Sequence, residues 1–189
     1  MGNVGYIASI NNSESSNVAE IGDVLNLASI DTAIELAEAN TTAEGKVQEA
    51  EPVKDPTFSM PVDGEIVKHY GKEKLIYSDT LKEWTTHLGI DIKADKTTVV
   101  KASADGTVKS IKNDPRYGLT IVVQHQNGFS TIYANLLTAE FVVEGEPVKS
   151  GQTLGTVGNS ATFEILDDPH LHFEILKDGN SIDPEMYIK

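Results

Sequence analysis

The sequence predicts a mainly β, antiparallel domain over residues 57–189, preceded by an acidic leader with a helical segment over residues 1–56. Three observations predict it. Short runs rich in branched and aromatic residues recur from Phe58 onward. Turn-forming pairs separate those runs. No helical window of useful length follows residue 60, so the domain has no helices to cover a parallel sheet.

The runs are "GEIVKHY", "HLGIDI", "GTVKSIK", "LTIVVQH" and "FSTIYANL". Asp63-Gly64, Asp105-Gly106, Asp114-Pro115 with Gly118, and Asn127-Gly128 punctuate them. Asn and Gly both tolerate positive φ, so Asn127-Gly128, between "IVVQHQ" and "FSTIYANL", is the strongest hairpin signal. "VKSGQTLGTVGN" (148–159) reads as tight turns around one short strand. The last run, "DDPHLHFEIL" (167–176), alternates: Leu171, Phe173 and Ile175 take one face, and His170, His172 and Glu174 the other.

The leader has a different composition. Residues 1–55 hold 10 acidic and 2 basic groups, with no Phe or Trp. Helical spacing links Ile21, Leu25 and Ala28, then Ile30, Ala33, Ile34 and Ala37, so a helix is expected over 17–39. Asn17 with Glu20 three residues on matches a capping box. Residues 41–56 read as a charged linker ending in two prolines. The opening "MGNVGYIASINNSESS" reads as a polar end or as the trimmed edge of a membrane anchor.

Composition narrows the chemistry. The 189 residues include no cysteine, which removes disulfides and thiolate metal sites and leaves His, Asp and Glu as ligands. The net charge is −14, with one arginine and no basic run, so nucleic acid is not an expected partner. No stretch of about 18 consecutive apolar residues is present, the length a membrane-spanning helix needs.

His87 and Asp91, in "THLGIDI", lie four residues apart. In a straight strand their Cα atoms would be about 13 Å apart, too far for short side chains to share an ion. They can meet only if the chain turns at Leu88-Gly89, and Gly89 permits a sharp bend. His170 and His172 would be about 6.6 Å apart on one strand face. A lone His-x-His is more often a solvated strand face, and His-x-x-x-Asp alone is weaker still. Together, in a β domain without cysteine, they raise the metal reading to even terms with the solvated one. Glu174 fits either an outer partner orienting a histidine or a solvated glutamate. His69 and His125 read as ordinary strand or turn histidines. Trp84 and Tyr77 read as core packing first, with the lining of a groove as the alternative.

"HLGID" (87–91), "GTV" (106–108), "GLTIVVQHQNGFSTIYANL" (118–136), "VKSGQTLGTVGNS" (148–160) and "HLHFEI" (170–175), in that order, resemble the LytM/lysostaphin-type zinc endopeptidases, the M23 family, across residues 60–189. Members cut peptide cross-links of bacterial peptidoglycan. The resemblance implies a Zn²⁺ cofactor held by His87, Asp91 and His172, with His170 as a catalytic histidine. One position departs. Where the family carries a second catalytic histidine, in a "YxHL" segment, this chain has "YANL", placing Asn135 there. An imidazole can take and release a proton near neutral pH and an amide cannot, although Asn135 could hydrogen-bond a water or a substrate carbonyl.

The acidic leader and the degenerate but metal-competent motif set are similar to the sporulation-specific members of the family in endospore-forming bacteria. That narrower resemblance implies an N-terminal anchor in the forespore membrane, absent from this chain, and a domain facing the space between forespore and mother cell. It also implies a mother-cell partner, a stage III sporulation protein AH-like protein, in a channel or zipper complex. A working endopeptidase acting on peptidoglycan is the alternative that the retained His87, Asp91, His170 and His172 keep open.

Overall fold

A computed structural model describes residues 54–189. Twelve strands occur there: β1 (Glu65–Lys68), β2 (Gly71–Ser78), β3 (Glu83–His87), β4 (Ile90–Lys93), β5 (Val99–Lys101), β6 (Gly106–Asp114), β7 (Gly118–Gln124), β8 (Phe129–Thr138), β9 (Pro147–Val148), β10 (Thr153–Val157), β11 (His170–Lys177) and β12 (Asn180–Ile182). Three short 3-10 turns are the only helical elements among the described residues. The expected helix over 17–39 lies outside them.

The strands form one large antiparallel sheet in the order β1-β4-β11-β8-β7-β6-β9, with β10 joining β8 to β5 and β12 flanking β11. Strand β11 is central, between β4 and β8. Leu171, Phe173 and Ile175 enter the core as their alternation predicts, beside Ile90, Ile92, Ile121, Tyr133 and Leu136. Packing of this kind stabilises by about 1.5–3 kcal/mol per buried large side chain. The opposite face of β11 is covered as well, so His170, His172 and Glu174 are buried rather than solvated.

The predicted runs became β1, β4, β6, β7, β8, β10 and β11. Asn127 and Gly128 turn β7 into β8 with φ of 54° and 73°. Strands β2, β3, β5 and β12 were not legible. In "GKEKLIYS" charges interrupt the alternation, and β2 pairs only with β3 in a separate, largely exposed hairpin. That hairpin corrects the reading of two aromatics. Tyr77 and Trp84 pair edge to face at 5.5 Å, and both are exposed instead of lying in the core. Their burial was expected from bulk alone, and a two-stranded ribbon has no covered face to receive them.

Two backbone features place the site. The chain leaves β3 at His87, passes Leu88-Gly89 and enters β4 at Ile90, so consecutive strands belong to different sheets. Gly89 runs so close to β11 that a Cβ there would lie 2.4 Å from the Phe173 carbonyl oxygen. In β8, Asn135 adopts φ of 62°, and there the strand changes neighbours, from β11 before it to β10 after it. Asn is among the few residues that tolerate this region.

The approach at Gly89 makes a prediction. Gly89→Ala forces β4 away from β11 and should destabilise the domain by about 2–3 kcal/mol. Urea unfolding measures this, with a lowered midpoint as the expected outcome.

Candidate metal centre

Strand pairing delivers the ligand-type side chains. His172 on β11 sits directly across from Asp91 on β4, so their side chains project side by side. The bend at Leu88-Gly89 swings His87 in from β3. His87 Nε2 then lies 3.0 Å from Asp91 Oδ1 and 3.2 Å from His172 Nδ1, and His172 Nδ1 lies 2.8 Å from the same Asp91 oxygen. The requirement that the chain turn between His87 and Asp91 is met.

The outer contacts decide which nitrogens face inward. His87 Nδ1 donates to the His69 carbonyl at 3.0 Å. His172 Nε2 donates to Glu174 Oε1 at 3.2 Å, and Ser181 Oγ donates to the other Glu174 oxygen. Each ring thus spends one N–H on an outer acceptor and turns the other nitrogen, a lone pair in the neutral form, toward the Asp91 carboxylate. Tyr117 stacks on the His172 ring, with centroids 4.6 Å apart and planes 10° apart, and fixes its tilt.

Three inward acceptors in a sealed space call for a cation. Asp91 is 1% exposed and His172 is fully buried. Without a metal the centre finds its positive charge in protons. Burial pushes His172 down, but its bonds to Asp91 and Glu174 outweigh that and hold its pKa at about 10. Burial likewise raises Asp91, and the His172 and His87 hydrogen bonds reverse this, leaving it well below the usual carboxylate range. Asp91 Oδ2 is buried with no hydrogen bond. Its contact with Lys68 Nζ at 3.2 Å is an ion pair without hydrogen-bond geometry.

This donor set fits zinc. Tetrahedral zinc with bonds of about 2.0–2.1 Å holds its ligands about 3.3 Å apart. The edges here, 2.8 to 3.2 Å, need only slight expansion. His87, Asp91 and His172 also belong to a buried group with Glu164 whose ligand atoms all lie within 4.8 Å of one another.

His170 sits beside this centre. Its Nδ1 donates to the Asp168 carbonyl at 2.7 Å and its Nε2 lies 3.2 Å from Glu164 Oε2. Burial would lower its pKa, but the Glu164 bond and the Asp91 charge raise it. The same Nε2 also lies 3.3 Å from the Asn135 side-chain nitrogen.

Asn135 is fully buried, and a role in binding water or substrate does not fit its contacts. Its Oδ1 accepts from the Ser160 and Ala161 backbone amides at 2.6 and 2.9 Å, and its Nδ2 donates to the His170 carbonyl at 3.0 Å. Its own N–H donates to the Tyr117 carbonyl, and its carbonyl accepts from Gly158. The amide pins the 158–161 loop to β8 and β11.

Sequence reading missed Lys68, Tyr117 and Glu164. Lys68 Nζ lies 2.5 Å from Asp167 Oδ2 and 3.5 Å from Glu164 Oε1. These carboxylates and Asp91 overcome burial and keep the ammonium charged. None of the three lies in a spaced motif, so no signal in the chain marks them. The remaining histidines are peripheral. His125 donates to the Asp105 carbonyl and meets Thr131 Oγ1, and His69 contacts Glu185 at the surface. A cleft of about 180 Å³ lined by Tyr77, Arg116, Tyr117 and Phe163 reaches His87 and Glu164, but neither Asp91 nor His172 lines it.

Residues 85–184 match the sequence profile of Peptidase family M23. Stage II sporulation protein Q of Bacillus subtilis (strain 168) is 39% identical over 98 residues, 51% of this chain and 34% of that protein. The chain spans about a quarter to a third of the length of curated relatives it matches. Among solved structures, the SpoIIQ–SpoIIIAH pore forming complex aligns over 72% of this chain and 93% of its own matching chain, at 28% identity and a TM-score of 0.63. A zinc-containing peptidase from Vibrio cholerae aligns over 67% of this chain and 39% of its own, at 27% identity and a TM-score of 0.59.

The charge balance at the centre predicts a pH dependence for the metal-free domain. The folded pKa of His172, about 10, lies above its ordinary value of 6.5. Its stabilising contribution is therefore complete below pH 6.5 and is lost as pH rises toward 10. Thermal melts of chelator-treated protein should fall across that window. Zinc competes with the same proton, so the stabilisation zinc adds should grow as pH rises.

Proposed function

This chain belongs to peptidase family M23, and on that premise we propose that it is a zinc-holding, non-hydrolytic module that binds a stage III sporulation protein AH-like partner. The zinc ligands in this reading are His87, Asp91 and His172. The module works outside the cytoplasm, on the forespore face of the space between forespore and mother cell, tethered by an anchor in the full-length protein. Residues 57–189 form the binding domain and residues 1–56 the leader.

The observation that carries the reading is Asn135. Zinc lowers the pKa of a bound water to about 7, but attack on a peptide bond still gains roughly 10²–10⁴-fold from a positioned proton carrier. Asn135 stands where the family places that carrier; its side-chain oxygen is committed to two backbone amides, and its nitrogen to the His170 carbonyl and ring. His170 is tied in as well, its Nδ1 to the Asp168 carbonyl and its Nε2 between Glu164 Oε2 and the Asn135 amide. The match to the chain in the SpoIIQ–SpoIIIAH complex, over 93% of that chain, supports the partner.

Backbone pairing at a sheet edge is the proposed mode of binding. Strand β9 pairs with β6 only at Gly106 and Thr107, so the far half of β6 has no strand partner on its outer side among the described residues. The Ile111 amide points outward, where it donates to the Glu144 side chain, and by the strand period the Asn113 amide does too. Such an edge accepts a partner strand.

The alternative is a working peptidoglycan endopeptidase. The likeness to the zinc-containing Vibrio cholerae peptidase and the retained His170 favour it.

Purified protein should co-purify with a stage III sporulation protein AH-like partner, and incubation with peptidoglycan should release no muropeptides. Asn113→Pro removes one outward amide without touching the pairing to β7, and should weaken the complex about tenfold. Robust muropeptide release abolished by His172→Ala would establish the alternative. Absence of any complex would remove the partner reading.

A further inference from the structure

Glu164 comes from the 3-10 turn Thr162–Glu164, outside the His-x-x-x-Asp and His-x-His motifs. It is 6% exposed. Burial pushes its carboxyl up, but the His170 bond outweighs this and keeps it ionised. A buried carboxylate beside a second one, Asp91, is costly unless cations compensate. Lys68 and His170 supply part of the compensation, at 3.5 and 3.2 Å.

The turn that carries Glu164 is held from both sides. Asn135 Oδ1 grips the Ser160 and Ala161 amides just before it. The Phe163 amide donates to the Arg116 carbonyl, and Thr162 Oγ1 donates to the Pro115 carbonyl. The residue that replaces a proton carrier thus fixes the loop that delivers the carboxylate.

Resting on the zinc reading above, we propose that Glu164 supplies a fourth protein ligand, closing the centre as a His₂AspGlu site of the structural type. A Glu164 oxygen already lies within 4.8 Å of the three other ligand atoms. Tetrahedral zinc needs about 3.3 Å between ligands, so the carboxylate must advance by about 1.5 Å, within the reach of a side chain with three torsions. Asp91 and His172 are sealed from the cleft, and only His87 and Glu164 border it. Closed four-ligand sites stabilise folds, whereas sites that act on substrate keep a position open. Lys68 caps the arrangement, its ammonium offsetting the second carboxylate.

Cobalt(II) is the probe, read by its visible absorption, with azide as a competing small ligand. Wild-type protein should bind one cobalt per chain with a four-coordinate spectrum that azide leaves unchanged. Glu164→Gln, nearly isosteric, should bind cobalt about 10–100-fold more weakly and show a spectrum that azide shifts. His87→Ala should lose the metal. An azide-sensitive wild-type spectrum, or equal cobalt affinity in a folded Glu164→Gln, would overturn the fourth ligand while leaving the zinc reading intact. Failure of wild-type protein to bind cobalt or zinc, or binding unaltered in His87→Ala, would overturn both. The azide response of the wild-type protein needs no variant, so a folding defect in Glu164→Gln cannot decide the matter.

Discussion

His87 Nε2, Asp91 Oδ1 and His172 Nδ1 meet within 3.2 Å of one another among buried side chains, with only His87 of the three bordering the cleft. Neutral imidazole lone pairs and a carboxylate oxygen repel at that range unless positive charge lies among them. Much of the architecture serves to force this meeting. The bend at Leu88-Gly89 brings β3 and β4 together end to end, the β4–β11 register sets Asp91 opposite His172, and the His69 carbonyl and Glu174 carboxylate hold each imidazole turned inward. A protein that needed only a stable β sheet would place apolar groups there, since buried ion pairs seldom outperform well-packed hydrocarbon.

Much of this was legible in the sequence because β structure writes itself with a period of two. "HLHFEIL" gave its apolar face correctly, and Asn127-Gly128 marked its hairpin. Distance along a straight strand allows His87 and Asp91 to share an ion only with a bend at Leu88-Gly89, and the bend is there. What escaped has equally physical reasons. The β2–β3 hairpin buries little, so no apolar alternation marks it, and its exposed Tyr77 and Trp84 were mistaken for core. Glu164 reaches the centre from a loop turn and Lys68 from the end of β1, and neither carries a spacing signal, because tertiary contacts that bring such groups together are not encoded in local pattern.

Asn135 shows how one residue serves two ends. Its positive φ lets β8 exchange β11 for β10, a conformation Asn bears better than most residues. Its amide then ties the loop ahead of Glu164 to the backbone of His170. An imidazole in its place has no oxygen to accept from two backbone amides at once. The strand exchange in β8 and the rigid loop ahead of Glu164 are thus set by one side chain.

The central claim is that a metal ion, not a proton, is what this cluster is built to hold. Thermal unfolding of chelator-treated protein, with and without one equivalent of Zn²⁺ at neutral pH, tests it most directly. A ligand that binds only the folded state stabilises it by RT ln(1 + [L]/Kd), about 4.1 kcal/mol at a thousandfold excess over Kd. The account predicts a rise in Tm of about 10 °C or more, with one zinc retained per chain after gel filtration. An unchanged Tm and no retained zinc would show that the proton on His172 balances Asp91 by itself.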